Sequence, residues 1–198
     1  MVKITNSLWE TQLKKEKSDG KFLLIVAVML SVILAVITLN TYVIFNVYVL
    51  GPSMQPTLYT GDVLIANRLK EPMKGDVVIV SGAKAGSKDW LVKRIIAVEG
   101  ETVEIKDGYV FVNGEKLSNE PYVKEIGVTE PAKNKPSAFT VGENEFFYLG
   151  DNRANSNDSR NYGTCSRVQI VGVVSQWSVD NKESITKFYK FISKLSFR

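Results

Sequence analysis

Hydrophobic and polar positions divide the chain into three stretches. Phe22 to Leu39, FLLIVAVMLSVILAVITL, is eighteen residues without a charge, and beyond Asn40 and Thr41 the segment YVIF continues the apolar character. About 20 apolar residues at about 1.5 Å each cross a hydrocarbon core of about 30 Å, so the pattern predicts a transmembrane helix over 22–45. A secretory leader has a shorter apolar region, of about 7–15 residues, ending at a small-x-small cleavage site. This run is longer and no convincing site follows it, which favours an anchor that stays attached.

The second stretch, 46–180, reads as β structure. Alternating or β-branched runs cover Asp62–Ala66, Asp76–Val80, Trp90–Val98, Thr102–Ile105, Tyr109–Val112, Glu145–Leu149 and Val168–Val174. Turn signals separate them at Lys74-Gly75-Asp76, Glu99-Gly100, Asp107-Gly108 and Asn113-Gly114. IKDGYVFVNG predicts a hairpin on an Asp-Gly turn with a second turn at Asn-Gly. Residues 118–138, rich in Pro, Lys, Glu and Asn, read as a surface loop. The third stretch, 181–198, places Ile185, Phe188, Phe191, Ile192 and Leu195 at helical spacing with lysines between them. Such a basic amphipathic tail can lie on an anionic membrane surface, pack on its own domain, or fray.

Charge adds an orientation. Residues 1–21 carry Lys3, Lys14, Lys15, Lys17 and Lys21 against Glu10, Glu16 and Asp19, and beyond the apolar run no Lys or Arg occurs before Arg68. Positive flanks stay in the cytoplasm. The expectation is a single-pass protein of the cell membrane, with 1–21 cytoplasmic, 22–45 in the bilayer and 46–180 an extracytoplasmic catalytic domain. The net charge of +4 is mild and gives no reason to expect a nucleic-acid partner.

Composition restricts the chemistry. The 198 residues include no His and one Cys. A Ser-His-Asp triad, a Cys-His dyad, a His-based metal site, a zinc-thiolate cluster and an internal disulfide are all excluded, and no metal or cofactor is expected. Cys165 reads as a core or surface residue. A hydrolase built from this chain needs Asp, Glu, Lys or Tyr as its base.

Three segments offer that chemistry. Gly51-Pro52-Ser53-Met54-Gln55-Pro56-Thr57-Leu58 brackets a Ser between two prolines just past the apolar run. Fixed dihedrals let a hydroxyl project at a fixed angle, although most Pro-Ser turns are only turns. In the strand Trp90–Val98, alternation puts Lys93 on the face of Leu91, Ile95 and Ala97. Desolvation among hydrocarbon favours a neutral amine, which can take a proton from a serine hydroxyl. Bending outward or pairing with an acid is the other outcome for Lys93. Finally, Gly150–Gly163, GDNRANSNDSRNYG, follows the apolar strand EFFYL and reads as an ordered hydrogen-bonded loop. Asp151, Asn155 and Asp158 could be calcium donors, but Arg153 stands where EF-hand spacing needs a ligand.

The order of anchor, GPSMQPTL, KGDVVIV, LVKRIIAVEGETVEI and GDNRANSNDSRNYG resembles bacterial type I signal peptidases over roughly residues 20–175. The resemblance implies a mainly β, signal-peptidase/LexA-like antiparallel catalytic domain with one N-terminal transmembrane helix. It implies Ser53 as nucleophile, Lys93 as general base and Ser156 as the hydroxyl that orients the lysine. Asp158 and Arg160 match a structural charge pair, and Asp151 and Arg153 match charges of the same loop. The oxyanion hole falls to the Ser53 backbone N–H, because Gly51 stands where some members carry a helping serine. Val49, Met54, Leu58, Leu91 and Val92 flank the dyad and are candidate pocket residues. The implied partners are signal peptides of exported preproteins with small residues at the cleavage site, membrane lipid, and a position near the Sec translocon. A catalytically silent relative assisting surface-protein assembly would lack the nucleophile or the lysine. A self-cleaving repressor-type regulator would need a DNA-binding module that 20 residues cannot form.

Overall fold

The computed structural model describes residues 3–82 and 89–195, in two compact units, 1–43 and 44–198. The first is one helix, α1 (Lys3–Val43), whose segment Gly20–Val43 is long and apolar enough to cross a membrane. At about 1.5 Å per residue these 24 residues extend about 36 Å. The polar side chains inside the run bond to their own helix: Ser31 Oγ donates to the Val28 carbonyl (2.8 Å), Thr38 Oγ1 to Leu34 (2.8 Å), Asn40 Nδ2 to Val36 (2.9 Å) and Thr41 Oγ1 to Ile37 (2.8 Å). Donors satisfied in this way are compatible with hydrocarbon surroundings. The helix ends at Val43, and the last two residues of the expected span open a strand.

The second unit is built on two antiparallel sheets. The larger contains β1 (Ile44–Tyr48), β2 (Val63–Asn67), β3 (Val77–Ser81), β4 (Trp90–Val98), β9 (Glu145–Leu149), β10 (Cys165–Ser166) and β11 (Ile170–Val174), in the order β1-β2-β11-β3-β4-β9-β10. The smaller contains β5 (Thr102–Lys106), β6 (Tyr109–Val112), β7 (Glu115–Lys116) and β8 (Ala138–Thr140), in the order β7-β6-β5-β8. The predicted hairpin is present: Asp107 and Gly108 have φ of 52° and 80°, as do Asn113 and Gly114. Two successive left-handed residues give the turn whose twist matches the strands. Position 108 has a second constraint, since a Cβ there would stand 2.1 Å from the Gly127 carbonyl oxygen.

Three features depart from the sequence reading. Val168 lies in a short 3-10 turn, is 90% exposed, and the strand begins at Ile170. β1 hid inside the continuation of the apolar run, and β8 closes the stretch read as loop. Residues 118–138 are also more than a surface loop. Val123 bridges Pro56, the Lys124 N–H donates to the Asp151 carbonyl (3.1 Å), and Thr129 is buried with its N–H on the Gly108 carbonyl (2.9 Å).

β11 pairs with β2 only at Asn67 and Ala66. Further along β2, side chains of two helices take over. Ser178 in α3 (Gln176–Asp180) accepts from the Ile65 N–H, and Thr186 in α4 (Lys182–Leu195) accepts from the Val63 N–H, both at 2.8 Å. Strand N–H groups that β11 leaves uncovered are thereby satisfied.

Candidate active site

The turn carrying Ser53 is sewn at both ends. Before it, the Val49 N–H donates to the Asp62 carbonyl and the Gly51 N–H to Thr60 Oγ1; after it, the Gln55 N–H donates to the Pro52 carbonyl and the Leu58 N–H to Met54. Asn152 clamps the middle, its N–H on the Ser53 carbonyl (3.0 Å) and its Nδ2 on the Pro52 carbonyl (3.1 Å). The Ser53 N–H donates to no group among the described residues. Gly150 packs so closely that a Cβ would meet Ser156 Oγ at 2.3 Å and the Ser53 carbonyl at 2.5 Å. The loop and the turn carrying Ser53 are thus in contact.

Lys93 lies on β4 opposite Val78, with the parity of Leu91 and Ile95, which join the cluster of Val78 and Val80. Alternation does not extend to Ala97. A bulge in the pairing with β9 falls between Ile95 and Ala97, and Ala97 packs with Ile96 in another cluster. The extra residue of a bulge shifts the register of faces. Lys93 is 3% exposed, does not bend outward, and pairs with no acid among the described residues. Its Nζ is 2.7 Å from Ser53 Oγ and donates to the Val92 carbonyl at 3.0 Å. Burial is the main influence on the amine and lowers it to a pKa of about 8; Asp158 and Asp151 pull it upward, and Arg160 assists the lowering. The loss of hydration is not offset by a contact ion, so the neutral form gains.

The charges of the loop are matched separately. Asp158, fully buried, receives Nε and Nη2 of Arg160 at 2.8 and 2.9 Å, the Gly150 N–H at 3.1 Å, and the Arg160 N–H at the start of α2 (Ser159–Tyr162). Asp151 and Arg153 do not pair with each other. Asp151 is gripped by Nε and Nη2 of Arg94 at 2.9 and 2.8 Å and by the Thr57 hydroxyl. Arg153 binds Glu120, with further bonds to the Gly150 carbonyl and Thr129 Oγ1. Arg94, Thr57, Glu120, Tyr122 and Asn152 were not singled out from sequence. Arg94 stands beside Lys93 in the segment LVKRIIAVEGETVEI, whereas Glu120 lies in the stretch read as a surface loop.

Ser156 reaches this neighbourhood, yet its buried Oγ makes no hydrogen bond among the described residues, to Lys93 or to anything else. A cleft of about 550 Å³ opens beside the dyad, between 46–50 and the start of β4. Val49, Met54, Leu91 and Val92 line it together with Ser53 and Lys93. Leu58 does not: it is wholly buried in the core with Leu64 and Val77, because the turn after Ser53 directs it inward.

A buried amine within hydrogen-bonding reach of a fixed serine hydroxyl can deprotonate that hydroxyl. The family model "Signal peptidase, peptidase S26" matches residues 22–178. Signal peptidase I T of Bacillus subtilis (strain 168) is 37% identical over 159 residues, covering 74% of this chain and 79% of that protein. Signal peptidase I of Bacillus amyloliquefaciens is 38% identical with the same coverage, and signal peptidase I P of Bacillus subtilis subsp. natto is 34% identical over 81% of this chain and 90% of that protein. The chain therefore belongs to the signal peptidase family, the serine endopeptidases that remove N-terminal signal peptides from exported preproteins.

Proposed function

We propose that Ser53 and Lys93 perform the cleavage. The supporting observation is the 2.7 Å contact between Lys93 Nζ and Ser53 Oγ in a water-poor corner that lowers the amine to about 8. Neutral Lys93 takes the Ser53 proton while Oγ bonds to the scissile carbonyl carbon. The oxyanion is held by the Ser53 N–H. The C–N bond then breaks, Lys93 returns the proton to the departing amine, and an acyl-serine remains. Water attacks it as Lys93 accepts a water proton. Collapse regenerates the Ser53 hydroxyl and frees the signal peptide with a carboxyl end. Asp158 with Arg160, and Asp151 with Arg94, hold the loop and strand that frame the pair. Ser156, with a buried Oγ that makes no hydrogen bond among the described residues, is the positioning residue for the lysine in this reading.

Substrate lies as an extended strand in the cleft, with small side chains against Val49, Met54, Leu91 and Val92. The basic flank of α1 stays cytoplasmic, the chain crosses the membrane once, and the 44–198 unit works outside, against lipid and near the Sec translocon. Full-length protein in detergent, mixed with a preprotein ending its leader in small residues, tests the reading. Wild type cleaves, while Ser53→Ala and Lys93→Ala do not. Cleavage that persists in Lys93→Ala overturns the dyad, and no cleavage by any version points to a silent assembly partner.

A further inference from the structure

Helix α4 has three faces, each residue advancing by about 100°. Ile185, Thr186 and Tyr189 turn to the domain: the first two are buried, Thr186 accepts from Val63, and Tyr189 Oη donates to Asn46 Oδ1 at 2.7 Å. Phe188, Phe191, Ile192 and Leu195 form a second stripe and are 58, 59, 43 and 56% exposed. Lys187, Lys190 and Lys194 occupy the third, all exposed. Single exposed apolar residues are ordinary, but four large ones in one row mark an interaction surface. The family match ends at residue 178, before this helix begins.

Charge, tether and neighbouring surface together identify the occupant. Residues 181–198 carry +4, with five basic side chains against Glu183, whereas 51–180 carry −2, with 15 basic against 17 acidic. A basic face beside an apolar one suits anionic headgroups above acyl chains. Asn46, the partner of Tyr189, lies three residues past the end of the apolar helix at Val43, and three residues of chain reach at most about 11 Å. Ile44 and Tyr48, which share the Asn46 face of β1 by alternation, are 40 and 62% exposed and extend the apolar surface.

We propose that α4 lies in the headgroup layer of the bilayer that α1 crosses, with its apolar stripe toward the acyl chains and its lysines on anionic lipid phosphates. This rests on the membrane-anchored reading and adds a second attachment. A bound α4 holds at a set height the cleft whose wall includes Asn46.

The test uses the full chain reconstituted into vesicles of phosphatidylcholine, with or without about 30% phosphatidylglycerol, the anionic lipid that such basic helices prefer. An environment-sensitive fluorophore is placed at Phe191→Cys or Lys190→Cys, with parental labelling of buried Cys165 as background. Soluble-peptide cleavage shows that each variant is folded. In anionic vesicles the 191 label is quenched by lipid-borne quencher and shielded from iodide, while the 190 label is iodide-accessible. Replacing Lys187, Lys190 and Lys194 with Gln in the 191-labelled chain weakens partitioning of the helix on the order of 100-fold, from the contribution of each lysine at an anionic surface. Equal iodide access at 190 and 191 in chain that sediments with vesicles overturns the proposal and leaves anchoring intact. Concentration-dependent shielding of 191 in detergent, the sign of a second copy on this face, also overturns it. Chain left in the supernatant overturns the anchoring reading and this one with it.

Discussion

Lys93 and Arg94 are adjacent on β4 and both nearly sealed from solvent, at 3 and 6% exposure, but they meet opposite surroundings. Arg94 has two carboxylate oxygens of Asp151, the Gly75 carbonyl at 2.9 Å, and the Tyr122 ring 4.0 Å from its Cζ. Lys93 has one hydroxyl and one carbonyl. The same burial therefore preserves an ion pair on one side of the strand and favours loss of a proton on the other. Desolvation penalises both cations; only a contact anion offsets the penalty. The Arg94 side is built for rigidity, and the Lys93 side carries an unfavourable charge that chemistry can use.

Lys93→Met gives the largest effect. It removes the proposed base while keeping the stem volume, and cleavage falls on the order of 10²–10⁴-fold. In wild type, kcat/KM for a leader peptide rises about tenfold per pH unit below the amine's value of about 8 and levels off above it. A flat profile from pH 6 to 9 breaks the contrast. On the other side of the strand, Asp151→Ala strands the Arg94 guanidinium. Denaturant unfolding then shows a loss of about 3–5 kcal/mol. Thr57→Val removes one bond to Asp151 and leaves the ion pair, so the loss is smaller, about 1.5–3 kcal/mol.

The smallest effect has the opposite sign. Lys93→Met stabilises the fold at pH 7 by about 1–2 kcal/mol, since the buried amine costs stability that the lost bonds to Ser53 and Val92 only partly offset. The folded pKa of about 8 lies below the ordinary 10.5, so the unfolded chain binds more protons between them. Wild-type stability from this group accordingly rises from pH 8 to 10.5, and the advantage of the variant shrinks over that window. Thermal unfolding of both proteins across pH 7–10 checks it; an advantage that grows with pH contradicts the assignment.

Much of this molecule was legible in one dimension. The absence of His left only Asp, Glu, Lys or Tyr as a base, the 18-residue apolar run announced the long helix, and Asp-Gly and Asn-Gly marked the two turns they form. These are local properties, set by residue chemistry, length and backbone preference. The 2.7 Å approach of residues 53 and 93 needed the family pattern, because nothing local joins positions forty apart. The partners of the loop charges were not legible either. Asp151 could as well have paired with Arg153, two positions away, as with Arg94 on a distant strand; packing of the loop against β4 chose Arg94. Likewise, the spacing of α4 announced an amphipathic helix, but its apolar positions divide between core and solvent. Only the placement of β2 and β1 decided which ones, because burial is a property of what lies opposite a side chain, and chain order does not specify that.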